Sequence, residues 1–166
     1  MDNTNNEVKV VDALAIGDDG GERIQYIVVK VGSENYGIDI KYVDNIVRMQ
    51  KITRVPRAQD YFRGIINLRG EVVPVMSLRR RMGLEDDEFT KDSRIIILKF
   101  EDDNALLGVV VDAVREVVTL AENEIDEMGS EARSDSATFI NGVGKNGEEL
   151  ISLLDFSKVI GDKEAV

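Results

Sequence analysis

The sequence contains neither histidine nor cysteine. The first absence removes the commonest metal ligand and the side chain most often used as a base near neutral pH. The second removes disulfides and thiolate metal sites. An enzyme needs a nucleophile, a base or a metal site, which leaves carboxylates, Ser, Lys and Tyr to supply one. The carboxylates fall in turn-like runs: Asp18-Asp19, Glu85-Asp86-Asp87-Glu88, Glu101-Asp102-Asp103 and Glu148-Glu149. A general acid needs burial or a like charge beside it to raise its pKa, and carboxylates in solvated turns get neither. Calcium is conceivable at Glu101-Asp102-Asp103-Asn104, but the ligand spacing and closing glutamate of a helix-loop-helix site are missing. Gly64 and Gly70 flank Ile65-Ile66-Asn67-Leu68-Arg69, with no Gly-Lys-Ser/Thr to make a phosphate loop. These residues predict a protein without catalysis, cofactor or metal.

Recognition chemistry is the other possibility. Asn67-Leu68-Arg69-Gly70-Glu71 lies between apolar runs and reads as a hairpin that carries Arg69 at its tip. On pattern alone a solvated arginine is the simpler reading. The formal charge of −11 and pI near 4.5 argue against a nucleic-acid surface, which needs cationic patches. They equally argue against anionic membranes. No run approaches the ~18 apolar residues that cross a bilayer. The start, Met1-Asp2-Asn3-Thr4-Asn5-Asn6-Glu7, lacks the basic flank and apolar stretch of a signal peptide. The expectation is a cytoplasmic protein with no membrane insertion.

The elements that would position such a hairpin are short and β-rich. Residues 26–31, 71–76, 95–100 and 107–111 are strand-length runs broken by glycine and acidic turns, a texture of sandwiches or barrels. The chain also repeats itself. Ile27-Val28-Val29-Lys30-Val31 matches Ile96-Ile97-Leu98-Lys99-Phe100. Gly37 with Val43, Ile46 and Val47 matches Gly108 with Val114, Val117 and Val118 at an offset of 71. Gly64, Val73, Val75, Leu78 and Gly83 match Gly142, Ile151, Leu153, Phe156 and Gly161 at an offset of 78. Each unit ends in a short helix, capped by Ser77 and closed by Gly83, or capped by Asp155 and closed by Gly161. The expectation is an all-β protein of two small barrels packed together. A tail over 1–22 precedes a first barrel at 23–90 and a second at 91–161, and 162–166 form a C-terminal tail. Ile38, Ile46, Val73, Val75, Val109, Val111, Val117 and Leu153 are expected in the core.

Several segments resemble the CheW family of bacterial chemotaxis coupling proteins. They are Tyr36-Gly37-Ile38-Asp39-Ile40, Arg54-Val55-Pro56, Gly64-Ile65-Ile66-Asn67-Leu68-Arg69-Gly70, Val73-Pro74-Val75, Leu78-Arg79 and Gly108-Val109-Val110-Val111-Asp112. The resemblance spans about residues 24–160 and includes no catalytic motif. It implies two five-stranded SH3-like barrels and an adaptor that ties chemoreceptor cytoplasmic tips to the regulatory domain of the histidine kinase CheA. It places the family's partner-contacting valine at Val43 and its hairpin arginine at Arg69, with Ile40 and Ile95 among apolar groove residues. Asn45 stands where the family usually has glutamate, and Ser77 where it usually has aspartate. The resemblance also admits a regulatory domain of the CheV or CheA type. A carboxylate-dependent enzyme is the reading from another class.

Overall fold

The computed structural model describes residues 22–100, 104–127 and 139–160. Both expected tails, apart from Glu22, lie outside these residues, as do Gly161 and Glu101-Asp102-Asp103. Along the chain run β1 (Arg23–Val31), β2 (Glu34–Asp39), a 3-10 turn (Ile40–Tyr42), β3 (Val43–Arg48), β4 (Phe62–Leu68), β5 (Glu71–Ser77) and helix α1 (Leu78–Arg81). The second half follows with β6 (Arg94–Lys99), β7 (Leu106–Val111), β8 (Ala113–Ala121), a 3-10 turn (Glu122–Glu124), β9 (Ile125–Glu127), β10 (Ile140–Asn146), β11 (Glu149–Leu154) and helix α2 (Phe156–Ile160).

The repeat extends to the irregularities of the strands. β3 skips a residue between Val43 and Asn45 in its pairing with β6, and β8 skips one between Val114 and Glu116 in its pairing with β1. The bulged residues, Asp44 and Arg115, are 71 apart. β4 and β10 each bulge once more, at Arg63 and at Asn141, which are 78 apart. The helix entries correspond too. The Ser77 amide donates to the Tyr61 carbonyl at 2.7 Å, and the Asp155 amide to the Phe139 carbonyl at 2.9 Å. Ser77 Oγ caps α1 by accepting from the Arg80 amide at 3.1 Å, and Asp155 accepts from the Ser157 amide at 3.0 Å.

The sheets do not follow the units. One has six strands in the order β8-β1-β2-β11-β10-β9, the other five in the order β3-β6-β7-β5-β4. Each barrel therefore takes its first two strands from one unit and the rest from the other. The boundary expected at 90/91 divides the repeat but not the barrels, and one barrel carries a sixth strand, β9. The crossing points are parallel pairings, Leu153 beside Gly37 and Val75 beside Gly108. These two glycines are equivalent, and each admits a foreign strand at close range. A Cβ at Gly37 would lie 2.8 Å from Leu153 Cδ2 of the crossing strand, and one at Gly108 3.3 Å from Val75 Cγ2 of the crossing strand and 2.8 Å from Ile95 Cγ2 of its own unit.

Packing explains why the strands are apolar on both faces. In β1, Tyr26 and Val28 fill the six-stranded barrel, with Val118, Leu120, Ile151 and Leu153. Its alternate residues Ile27, Val29 and Val31 enter a shared cluster with Ile96, Leu98, Val109, Val111, Met76 and Phe156. β6 does the same, sending Ile95 and Ile97 into the five-stranded barrel. Alternation places successive side chains on opposite faces, so one strand serves a barrel core and the core between barrels. Six of the eight expected core residues are buried. Ile46, 38% exposed, and Val117, 51% exposed, are not. They occupy equivalent positions on β3 and β8, each an edge strand of its sheet, where one face has no covering layer.

Arg81 joins the two halves where they meet. Its Nε donates to the Val159 carbonyl at 2.6 Å. Its guanidinium lies 4.6 Å from the Tyr61 ring centre and 4.8 Å from that of Phe139. Tyr61 and Phe139 are equivalent residues, as are Arg81 and Val159, so this contact sits on the pseudo-two-fold axis.

Candidate protein-interaction surface

The β4–β5 hairpin turns through Arg69 and Gly70, with φ of 54° and 85°. Leu68 pairs with Glu71 across it. Two positive φ values in a two-residue loop are the geometry that matches strand twist, and glycine or asparagine is usual at both positions. Here Asn67 supports the turn, its Oδ1 accepting from the Gly70 amide at 3.0 Å. Arg69 is exposed and makes no hydrogen bond or ion pair among the described residues.

On the opposite edge of that sheet, Ile40 is 37% exposed in the 3-10 turn that feeds β3. Asp39 caps the turn by accepting from the Lys41 amide at 3.0 Å. Val43 is half-buried and its side chain packs against the shared cluster. Asn45 is half-buried, and its Oδ1 is buried with no hydrogen-bond partner. Ile95 is fully buried. It pairs with Val47 and faces the barrel interior, so it offers a partner no surface. The alternation of a strand buried on both faces overturns that expectation. Ile40, Val43 and Asn45 thus form one segment, Arg69 lies across the sheet, and Ile95 belongs to the core.

The duplication allows the two barrels to be compared position by position. In the six-stranded barrel, the bulge of β8 is tied to the β10–β11 hairpin. Arg115 Nη1 lies 3.1 Å from Glu149 Oε1 and donates to Asn35 Oδ1 at 3.1 Å. Asn146 Nδ2 donates to Glu116 Oε2 at 3.2 Å. The residues at the same positions in the five-stranded barrel are Asp44 for Arg115, Asn45 for Glu116, Leu68 for Asn146, Glu71 for Glu149 and Leu106 for Asn35. The cation has become a carboxylate and two polar groups have become leucines. Leu68 and Leu106 are half-buried against the barrel core. Asp44 and Glu71 are exposed and unpaired among the described residues. Sequence reasoning does not single out Asp44 or Glu71, although the offsets of 71 and 78 hold the signal. One seam is tied by these bonds, and its counterpart between β3 and the β4–β5 hairpin has no side-chain hydrogen bond or ion pair among the described residues.

Other charges are engaged in holding the frame. Arg79 grips Asp112 with two bonds, Nε to Oδ1 at 3.2 Å and Nη2 to Oδ2 at 2.7 Å, and the Gly32 amide donates to the same Oδ2 at 2.8 Å. Burial pushes the Asp112 carboxyl up, but the Arg79 fork and the Gly32 amide outweigh it and hold it below its ordinary value. In the loop after α1, hydrogen bonds from the Arg80 guanidinium and then from the Asp87 amide hold Asp86 well below the usual carboxylate range. Asp87 is enclosed, with Oδ2 accepting from Ser77 Oγ at 2.5 Å and 3.5 Å from Arg63 Nη1. Among the described residues no group of three or more acidic side chains could hold a metal ion. None of the described helices is long and apolar enough to cross a membrane.

Two strand-exchanged SH3-like barrels with an open seam define an interaction module. A family model described as a CheW-like domain matches residues 25–164, and the chain belongs to the CheW family. It is 37% identical over 145 residues to the chemotaxis protein CheW of Bacillus subtilis, covering 87% of this chain and 90% of that one. It is 32% identical over 143 residues to the Helicobacter pylori protein of the same name, covering 86% and 85%. The crystal structure of the scaffolding protein TtCheW from Thermoanaerobacter tengcongensis superposes with a TM-score of 0.76 at 32% identity, covering 84% of this chain and 94% of that one.

Proposed function

We propose that this chain is a chemotaxis scaffold that acts in the cytoplasm, joining the regulatory domain of a CheA-type histidine kinase to the cytoplasmic tips of chemoreceptors. It works by protein contacts and catalyses nothing. The observation that carries this reading is the open seam of the five-stranded barrel. Family membership assigns a coupling role, and the seam is where this chain has left contact groups unspent. Leu68 and Leu106 supply apolar area, Val43 and Ile40 extend it, and Asp44 and Glu71 offer carboxylates to a basic side chain. Arg69 offers a guanidinium fork to a carboxylate or carbonyl. Such a mixture of apolar centre and charged margin is the anatomy of a specific, reversible interface.

Calorimetric titration of the chain with a kinase regulatory domain, and separately with a receptor cytoplasmic fragment, tests the proposal. Arg69→Ala and the double variant Asp44→Lys/Glu71→Lys should each weaken at least one of these complexes about tenfold or more. Full-strength binding of both partners by both variants, with their thermal midpoints unchanged, would remove the seam from the mechanism. Failure of the parent chain to bind either partner would reject the coupling role.

A further inference from the structure

We propose that a second site, at the other end of the five-stranded barrel, docks an acidic extended segment of a partner protein. A depression of about 400 Å³ lies between the loop that enters β4 and the chain following α1. Arg54, Val55, Pro56 and Arg57 line one wall, and Phe62, Arg63, Arg80 and Phe89 are also among its lining residues. Its size is that of a peptide or ligand pocket rather than a packing defect.

The four arginines are not alike. Arg63 reaches Asp86 at 3.1 Å, and Arg80 reaches Asp86 at 2.8 Å and also donates to the Asp60 carbonyl at 3.1 Å. Arg63 further covers the Phe89 ring, its guanidinium 4.7 Å from the ring centre. These two build the wall. Arg54 and Arg57 are exposed and make no ion pair or hydrogen bond among the described residues. Arg57 also holds a left-handed backbone, φ 67°, a conformation that glycine or asparagine adopts more easily. The loop itself gains nothing from arginine at that position.

Charge complementarity identifies the occupant. In a chain of net charge −11, two free guanidinium forks beside exposed Val55 and Phe89 make a local cationic and apolar site. Screening over about 8 Å at physiological salt leaves the near charges in control there. Guanidinium forks grip carboxylates bidentately, and the apolar wall suits an aliphatic side chain between them. Two free cations in an acidic surround are too few for a polyphosphate backbone. Phe62 and Arg69 lie at opposite ends of β4, roughly 20 Å apart at about 3.3 Å per residue, so the site is separate from the seam and both can be filled at once.

The probe is a labelled, terminally blocked octapeptide of alternating glutamate and leucine, followed by fluorescence anisotropy. Its counterpart has glutamine in place of glutamate, and a single-stranded oligonucleotide of similar length serves as a third probe. The glutamate peptide should bind the parent chain, more weakly as salt rises, and the glutamine peptide at least tenfold less tightly. Arg54→Gln with Arg57→Gln should lose at least tenfold in affinity, while Arg69→Ala should bind the peptide normally. Arg57→Gly, which suits the backbone, checks that any loss comes from the missing guanidinium. Equal binding of both peptides, tighter binding of the oligonucleotide, or unchanged binding by the double variant would overturn the proposal. So would salt-dependent self-association, abolished by the double variant, without peptide binding, since it would make the occupant a second copy of this chain.

Discussion

Arg69 combines a strained backbone with an idle side chain. Its φ of 54° costs an ordinary residue on the order of 1 kcal/mol that glycine escapes. Arg69→Gly should therefore leave the unfolding midpoint unchanged or slightly raised, and Arg69→Ala should shift stability by no more than about 1 kcal/mol. Both should lose partner binding alike. Chemical denaturation alongside the titrations checks this, and a clear loss of stability in Arg69→Gly would restore a structural role for the guanidinium. Asp112 is the opposite case, a carboxylate fully occupied by Arg79 and Gly32. Its folded pKa lies below its unfolded value. Its stabilisation is thus complete above about pH 4, where the unfolded carboxyl is ionised, and is lost as pH falls towards the folded pKa. Thermal midpoints measured from pH 7 to pH 2.5 should show the parent chain well above Asp112→Asn at neutral pH. The gap should close on acidification, and a constant gap would refute the linkage.

At the scale of elements, the glycines at the parallel crossings leave no room for a side chain. An alanine methyl at Gly108 meets Ile95 Cγ2 at 2.8 Å, a branch fixed close to its backbone, whereas at Gly37 the nearest atom is the movable end of Leu153 at 2.8 Å and the fixed branch of Ile151 stands off at 3.1 Å. Overpacking of this kind typically costs about 1–3 kcal/mol, so Gly108→Ala should sit near the top of that range and Gly37→Ala lower. Denaturant midpoints that rank them the other way would contradict the geometry. Edge and centre should likewise separate. Leu153→Ala is expected to cost about 2–5 kcal/mol, and Ile46→Ala, on an open edge strand, under about 1 kcal/mol. Much of this was legible in the sequence because strand length, caps and repeat are local properties. The units, the hairpin at Arg69 and both helix starts follow from spacing alone. Ile46, Val117 and Ile95 do not, because which face of a strand is covered depends on its neighbours in the sheet. The sequence carries no local mark of those neighbours. The open seam was readable only by setting one unit against the other, Asp44 against Arg115 and Glu71 against Glu149.

For the whole molecule, the exchange of strands makes the two barrels one cooperative unit. Neither residues 22–90 nor 91–160 contains a complete sheet, since β1 needs β8 and β6 needs β3. Each fragment made alone should remain unfolded or aggregate, and mixing the two should restore the native circular dichroism. Independent folding of either fragment would mean that the strands can pair within their own unit. The same topology sets a schedule when the chain is synthesised from its N-terminus. Of the described strands β1 and β2 are the earliest made, yet their two flanking strands, β8 and β11, begin at Ala113 and Glu149. At about 5–20 residues per second, several seconds separate the birth of this hairpin from the arrival of its neighbours. During that interval two apolar strand edges stand open, a geometry that invites pairing with other nascent chains. The earliest strands of the fold thus wait longest for their neighbours.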